Sequence, residues 1–80
     1  MIKTQNVPFP DQYQKATGIL RAEIAKRRVT LSDLAMRMNR QGVEITPSNI
    51  STKLNRGKFS ASFFLQVLDA LDCDKIQINQ

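Results

Sequence analysis

The sequence predicts an all-α fold, a compact domain of four helices with room for short terminal β-strands. Apolar residues recur at three- and four-residue steps in four separate segments. A Ser or Thr stands just before three of those segments, where its oxygen can accept from an unpaired backbone amide. Eighty residues suffice for one such domain, and an apolar fraction of 41% is enough to fill its core. The chain divides into an N-terminal arm (1–10), a helical domain (11–73) and a tail (74–80).

Residues 1–10 read as non-helical, because Pro8 and Pro10 favour an extended path. The first helix is expected over 11–28, with Tyr13, Ala16, Leu20 and Ile24 forming its buried stripe. Asp11 suits the positive end of its dipole, and Lys26, Arg27 and Arg28 suit the negative end. Thr30 and Asp33 form a variant of the capping box and open a second helix that buries Leu31, Leu34, Ala35 and Met38. It is expected to stop near residues 39–41, with Gly42 in a left-handed turn.

The third helix has the clearest start. Thr46 is a good N-cap, and Pro47 fits the first helical position, where its missing amide would have had no partner. Ile50 and Leu54 fall on one face and tie the helix to the core, and Gly57 stops it. Ser48, Asn49, Ser51, Thr52, Lys53, Asn55 and Arg56 are left exposed by this pattern. Ser60 caps a fourth helix whose Phe63, Phe64, Val67, Leu68 and Leu71 form a broad apolar face. The alternation from Lys75 to Asn79 suits a short strand, which could pair with residues 2–4 or with the same tail of a second subunit.

Charge is distributed unevenly. Residues 15–58 hold ten basic side chains against Glu23, Asp33 and Glu44, a net of +7, whereas 59–80 carry a net of −2. An excess of that kind suits a polyanion, because neutralising phosphates releases condensed counterions. The lone Cys73 reads as a small buried hydrophobe, and without histidine the chain offers no cofactor or metal site. There is no apolar run near the roughly 20 residues of a membrane span, and no signal peptide is recognised. A cytoplasmic protein with neither a membrane partner nor a small-molecule substrate is expected.

The third helix has the composition of a reading head. The major groove is about 12 Å wide and admits one helix. There, short polar side chains let the backbone approach the base edges closely. Ser48, Asn49 and Thr52 lie towards the N-terminal half, suited to bases, and Lys53, Arg56 and Lys58 gather at the far end, suited to phosphates. An ordinary surface helix would favour Ala, Glu, Gln and Lys in both signs of charge. This one has no acid and five Ser, Thr or Asn among its ten residues. Arg28, in the basic cluster at the end of the first helix, is a further phosphate candidate.

These segments resemble the phage repressor and Cro type of helix-turn-helix over about residues 19–73. The resemblance rests on Leu20-Arg21 to Lys26-Arg27-Arg28, Val29-Thr30-Leu31-Ser32-Asp33-Leu34-Ala35, Asn49-Ile50-Ser51, Arg56-Gly57-Lys58 and the closing Leu68 to Cys73. It implies a small transcriptional regulator, repressor-like, that binds double-stranded DNA in sequence-specific fashion as a homodimer. Carried over by position, Pro47, Ser48, Asn49 and Thr52 would face bases, Ser32 and Ser51 would lie near phosphates, and Arg56 and Lys58 would follow the recognition helix. The stretch 56–61 with Phe64-Leu65-Gln66 is also similar to a small family of uncharacterised bacterial proteins. The chain departs from the repressor pattern at Val29 and Ser32, and in a longer passage from Ala35 to Ile50, where Arg40 to Glu44 reads as an insertion that Val43 and Ile45 plug.

Other functions leave different traces. Catalysis at neutral pH calls for a tuned acid–base pair or an activated nucleophile, and the sequence supplies neither, so no enzyme is expected. A helical module that binds protein, adaptor or antitoxin-like, would need a coherent apolar patch; Ile2, Val7, Phe9, Phe59, Ile76 and Ile78 are its contributors. Sequence-specific RNA readers present stacking aromatics, which the polar face of the third helix lacks.

Overall fold

A computed structural model describes residues 8–76. They form four helices: α1 (Pro8–Lys26), α2 (Leu31–Arg40), α3 (Pro47–Arg56) and α4 (Ala61–Ala70). The described residues contain no strand, and the tail from Cys73 to Ile76 is irregular. Lys75 and Ile76, the described start of the strand expected over 75–79, are not in a strand; residues 2–4 and 77–79 lie outside the described residues. No helix among those described is long and apolar enough to cross a membrane.

The core is built from every helix. Leu20 of α1, Leu34 and Met38 of α2, Ile50 of α3 and Val67 of α4 are fully enclosed. Phe63, Leu68, Leu71 and Cys73 complete it, and Val43, Ile45, Phe59, Phe64 and Ile76 pack against it half-buried. Three helices begin on the hydroxyl caps expected: Thr30 accepts from the Asp33 amide at 3.0 Å, Thr46 from the Asn49 amide at 3.1 Å and Ser60 from the Phe63 amide at 3.0 Å.

The first helix corrects the sequence reading in three places. It starts at Pro8 rather than at Asp11, so residues 8–10 belong to the helix and not to an arm. Prolines are compatible with the first turn, where backbone amides have no partner four residues back. The helix also ends at Lys26, not at Arg28. Arg28 turns left-handed, with φ 56°, and the Val29 amide reaches back to the Ile24 carbonyl at 3.2 Å. Finally, Tyr13 stays outside the core, 38% exposed, while Ile19 is buried beside Leu20. The reason is where α1 runs: Tyr13 lies alongside the end of α3, with the Lys58 ammonium 5.6 Å from its ring centroid.

Three of the four helices end in the same way. Arg28, Gly42 and Asp72 each have positive φ, and the amide after each donates to a carbonyl five residues back: Val29 to Ile24, Val43 to Met38 and Cys73 to Leu68. In each case the residue after the left-handed turn is apolar and folds inward, which couples the stop signal to the core.

The basic cluster after the first helix is largely committed within the fold. Glu23 is only 5% exposed. Lys26 pairs with it at 3.3 Å, and the Arg27 guanidinium donates to its other oxygen. Arg27 also donates through Nε to the Leu71 carbonyl at 3.0 Å, and Arg37 to the Ala70 carbonyl at 3.4 Å. The carbonyls at the end of α4 are therefore satisfied by the guanidinium groups of Arg27, just past α1, and of Arg37 in α2.

Burial by itself would raise the Glu23 pKa, but the hydrogen bonds and charges of Arg27 and Lys26 outweigh it and hold the carboxyl below its ordinary value. A depressed folded-state pKa contributes stability that is complete above the unfolded value of about 4.3 and is lost as the pH falls through and below it. Urea unfolding followed from pH 6 downwards should show that loss, and Glu23→Gln should flatten it while lowering stability at neutral pH.

Candidate nucleic-acid interface

The site is set by which side of α3 the core takes. Ile50 and Leu54 are 0% and 3% exposed, and they point the opposite face, made by Ser48, Asn49, Thr52, Asn55 and Arg56, to solvent. Pro47 is exposed at the first helical position. Of the residues expected to be exposed, Ser51 and Lys53 are half-buried on the flanks. They sit about a quarter-turn from the anchor residues, at the border between the buried and exposed faces of α3. Lys53 holds its ammonium 5.6 Å from the Phe63 ring centroid, and Ser51 Oγ accepts from Asn55 Nδ2 at 3.5 Å.

Asn49, Thr52, Lys53, Arg56 and Lys58 line one hollow of about 430 Å³, bordered on the other side by Glu44 and Ile45. Three cations and two short polar side chains thus share one surface. Pro47, Ser48 and Ser51 are on the same helix but not on that hollow. Ser32 is exposed in the first turn of α2, and Arg28 is exposed in the turn between α1 and α2. Neither forms part of the hollow's wall.

Two sets of positioning contacts escaped the sequence reading. Asn39 donates from Nδ2 to the Val43 carbonyl at 2.8 Å and the Ile45 carbonyl at 3.2 Å. It ties down the passage between α2 and α3, while Val43 and Ile45 pack half-buried against the core as expected. Arg21 of α1 donates to Asn55 Oδ1 of α3 at 2.8 Å, across 34 residues of sequence. An Asn in the last turn of a helix signals a passage tied down in this way only weakly, and nothing in spacing or periodicity marks the Arg21–Asn55 pair.

The end of α3 is shaped by Gly57, with φ 71°. Its amide donates to the Lys53 carbonyl at 3.0 Å. A Cβ there would stand 3.4 Å from Thr17 Oγ1 and 3.6 Å from Tyr13 Cβ, so α1 and the end of α3 approach closely. The Thr17 hydroxyl is buried without a hydrogen-bond partner.

Fold and surface together define a small all-α domain in which α3 presents a polar outward face and holds no acidic residue. The chain belongs to the family described as a domain of unknown function (DUF6471), which matches over residues 13–76. No curated protein and no solved structure was found to match it.

Gly57→Ala should cost about 1–2 kcal/mol, the penalty for a side chain in the left-handed region. Asn39→Ala should cost about 0.5–1.5 kcal/mol, because it removes a donor to two carbonyls of the passage that are exposed enough to turn to water. Chemical denaturation of each variant at pH 7 measures both, and an Asn39→Ala protein as stable as the parent would remove its positioning role.

Proposed function

We propose that the chain binds double-stranded DNA as a small helix-turn-helix regulator of transcription, with α3 in the major groove. One observation carries the reading: the outward face of α3 has no acid and brings Asn49 and Thr52 next to Arg56 and Lys58. Asn pairs with adenine edges, Thr serves either base edge, and cations at the far end meet phosphates. The helix is held by only two buried side chains and stopped at both ends by capped turns, so it can project as a rigid rod. Pro47 and Ser48 extend the base-facing side; Lys53, Ser51, Ser32 and Arg28 are the outer phosphate contacts. Two-fold dimerisation on a pseudo-palindromic site belongs to the same proposal, by resemblance to the repressor type.

Among residues 12–76, whose side chains are described, large exposed apolar side chains, the mark of a protein-binding module, are limited to Tyr13, Met36 and Leu65, one on each of three helices; Ile2, Val7, Ile78 and the side chain of Phe9 lie outside that description. Single exposed apolar residues are ordinary on a protein surface.

Selection from a random duplex pool tests the proposal: a palindromic consensus is expected, and no enrichment would refute it. With the selected duplex in hand, Asn49→Ala should cost about 1–3 kcal/mol of binding and relax preference at one base pair, whereas Arg56→Ala should weaken selected and random duplexes alike. Equal loss on both duplexes from Asn49→Ala would remove its base-reading role.

A further inference from the structure

A second hollow lies behind the recognition face, between α1 and the end of α3. It is an open groove of about 720 Å³, walled by Tyr13, Thr17, Gly18 and Arg21 from α1, and by Arg56 and Lys58 beyond them. Its lining contains no acidic residue. The hollow under α3 has Glu44 at its border, and the one that adjoins this groove across Gln14 and Gly18 has Glu23. Arg56 and Lys58 belong to both this groove and the α3 hollow, so they form the ridge between them.

Gly18 is the second clue. It sits in the interior of a nineteen-residue helix, where glycine is less favourable than alanine. Packing does not demand it, because a Cβ at Gly18 would meet nothing within 4 Å. What the glycine does is leave bare backbone on the wall of a cationic groove, which permits close approach by another chain. Arg21 is placed for the same partner: Asn55 accepts from one of its five N–H donors and orients the guanidinium beside Gly18.

We infer that this groove seats the sugar–phosphate backbone of the DNA strand flanking the α3 contact, with Arg21 and Lys58 on phosphates and Gly18 giving the strand room. The partner is a phosphodiester backbone because the groove is cationic, acid-free and continuous through Arg56 and Lys58 with the face proposed to read bases. This inference rests on the DNA-binding reading of α3 and makes α1 a second contacting element. Neither Arg21 nor Gly18 was among the candidates found in the sequence.

The test measures affinity of the full chain for the selected duplex and a random duplex across a range of salt concentrations. Arg21→Gln and Lys58→Gln should each lower the slope of log affinity against log salt by about one and weaken both duplexes about equally. A purely structural role for Arg21 would lower the unfolding temperature without changing that slope. Gly18→Leu should raise the unfolding temperature, because leucine is the better helix former, and yet weaken binding by about tenfold. If Asn49→Ala still reduces selected-duplex binding while Gly18→Leu and Arg21→Gln leave affinity and slope unchanged, the groove assignment is overturned and the reading of α3 stands. If the parent protein binds no duplex at low salt, both fall. Tight binding of inorganic pyrophosphate that Arg21→Gln abolishes, with duplex binding unaffected, would overturn the assignment in favour of a small-anion site.

Discussion

The anchoring of α3 by Ile50 and Leu54 is the constraint on which the rest of the surface depends. Two buried side chains four residues apart fix the rotation of a ten-residue helix, and that rotation decides which polar groups reach solvent. The anchor works because Leu34, Met38 and Val67 complete a closed apolar interior around it. A wider apolar face would bury Asn49 or Thr52; a narrower one would leave the helix without purchase on the domain.

Charge is allocated by the same geometry. The basic block of the sequence looks uniform, but its members do different work. Arg27 and Arg37 satisfy the carbonyls at the end of α4, and Arg27 with Lys26 neutralises the buried Glu23. These side chains hold α1, α2 and α4 together near the end of α4. Arg56 and Lys58 are left at the opposite role, exposed around the end of α3, and Arg21 joins them across α1. The net charge of the chain therefore overstates what a polyanion could meet, while its distribution sharpens where the meeting would occur.

The passage between α2 and α3 shows how an irregular segment becomes a packed part of the domain. Gly42 turns left-handed, Val43 and Ile45 fold against the core and Asn39 donates to both of their carbonyls. Glu44 thereby comes to border the α3 hollow.

The local part of the structure was legible in the sequence. Caps at Thr30, Thr46 and Ser60, the stops at Gly42 and Gly57, and the core faces of α2, α3 and α4 depend on interactions within one or two helical turns, which spacing and residue type encode directly. The first helix was read less well. Prolines in a first turn resemble an extended arm, and a left-handed arginine ends α1 where only a glycine would have announced the stop. Tertiary structure alone decided the rest: that Tyr13 belongs to a groove and not to the core, that Arg21 meets Asn55, and that Arg27 is spent on Glu23 and Leu71. Apart from the local Glu23–Arg27 pair, these contacts join positions more than thirty residues apart, and a side chain's partner at that distance is set by how the helices pack.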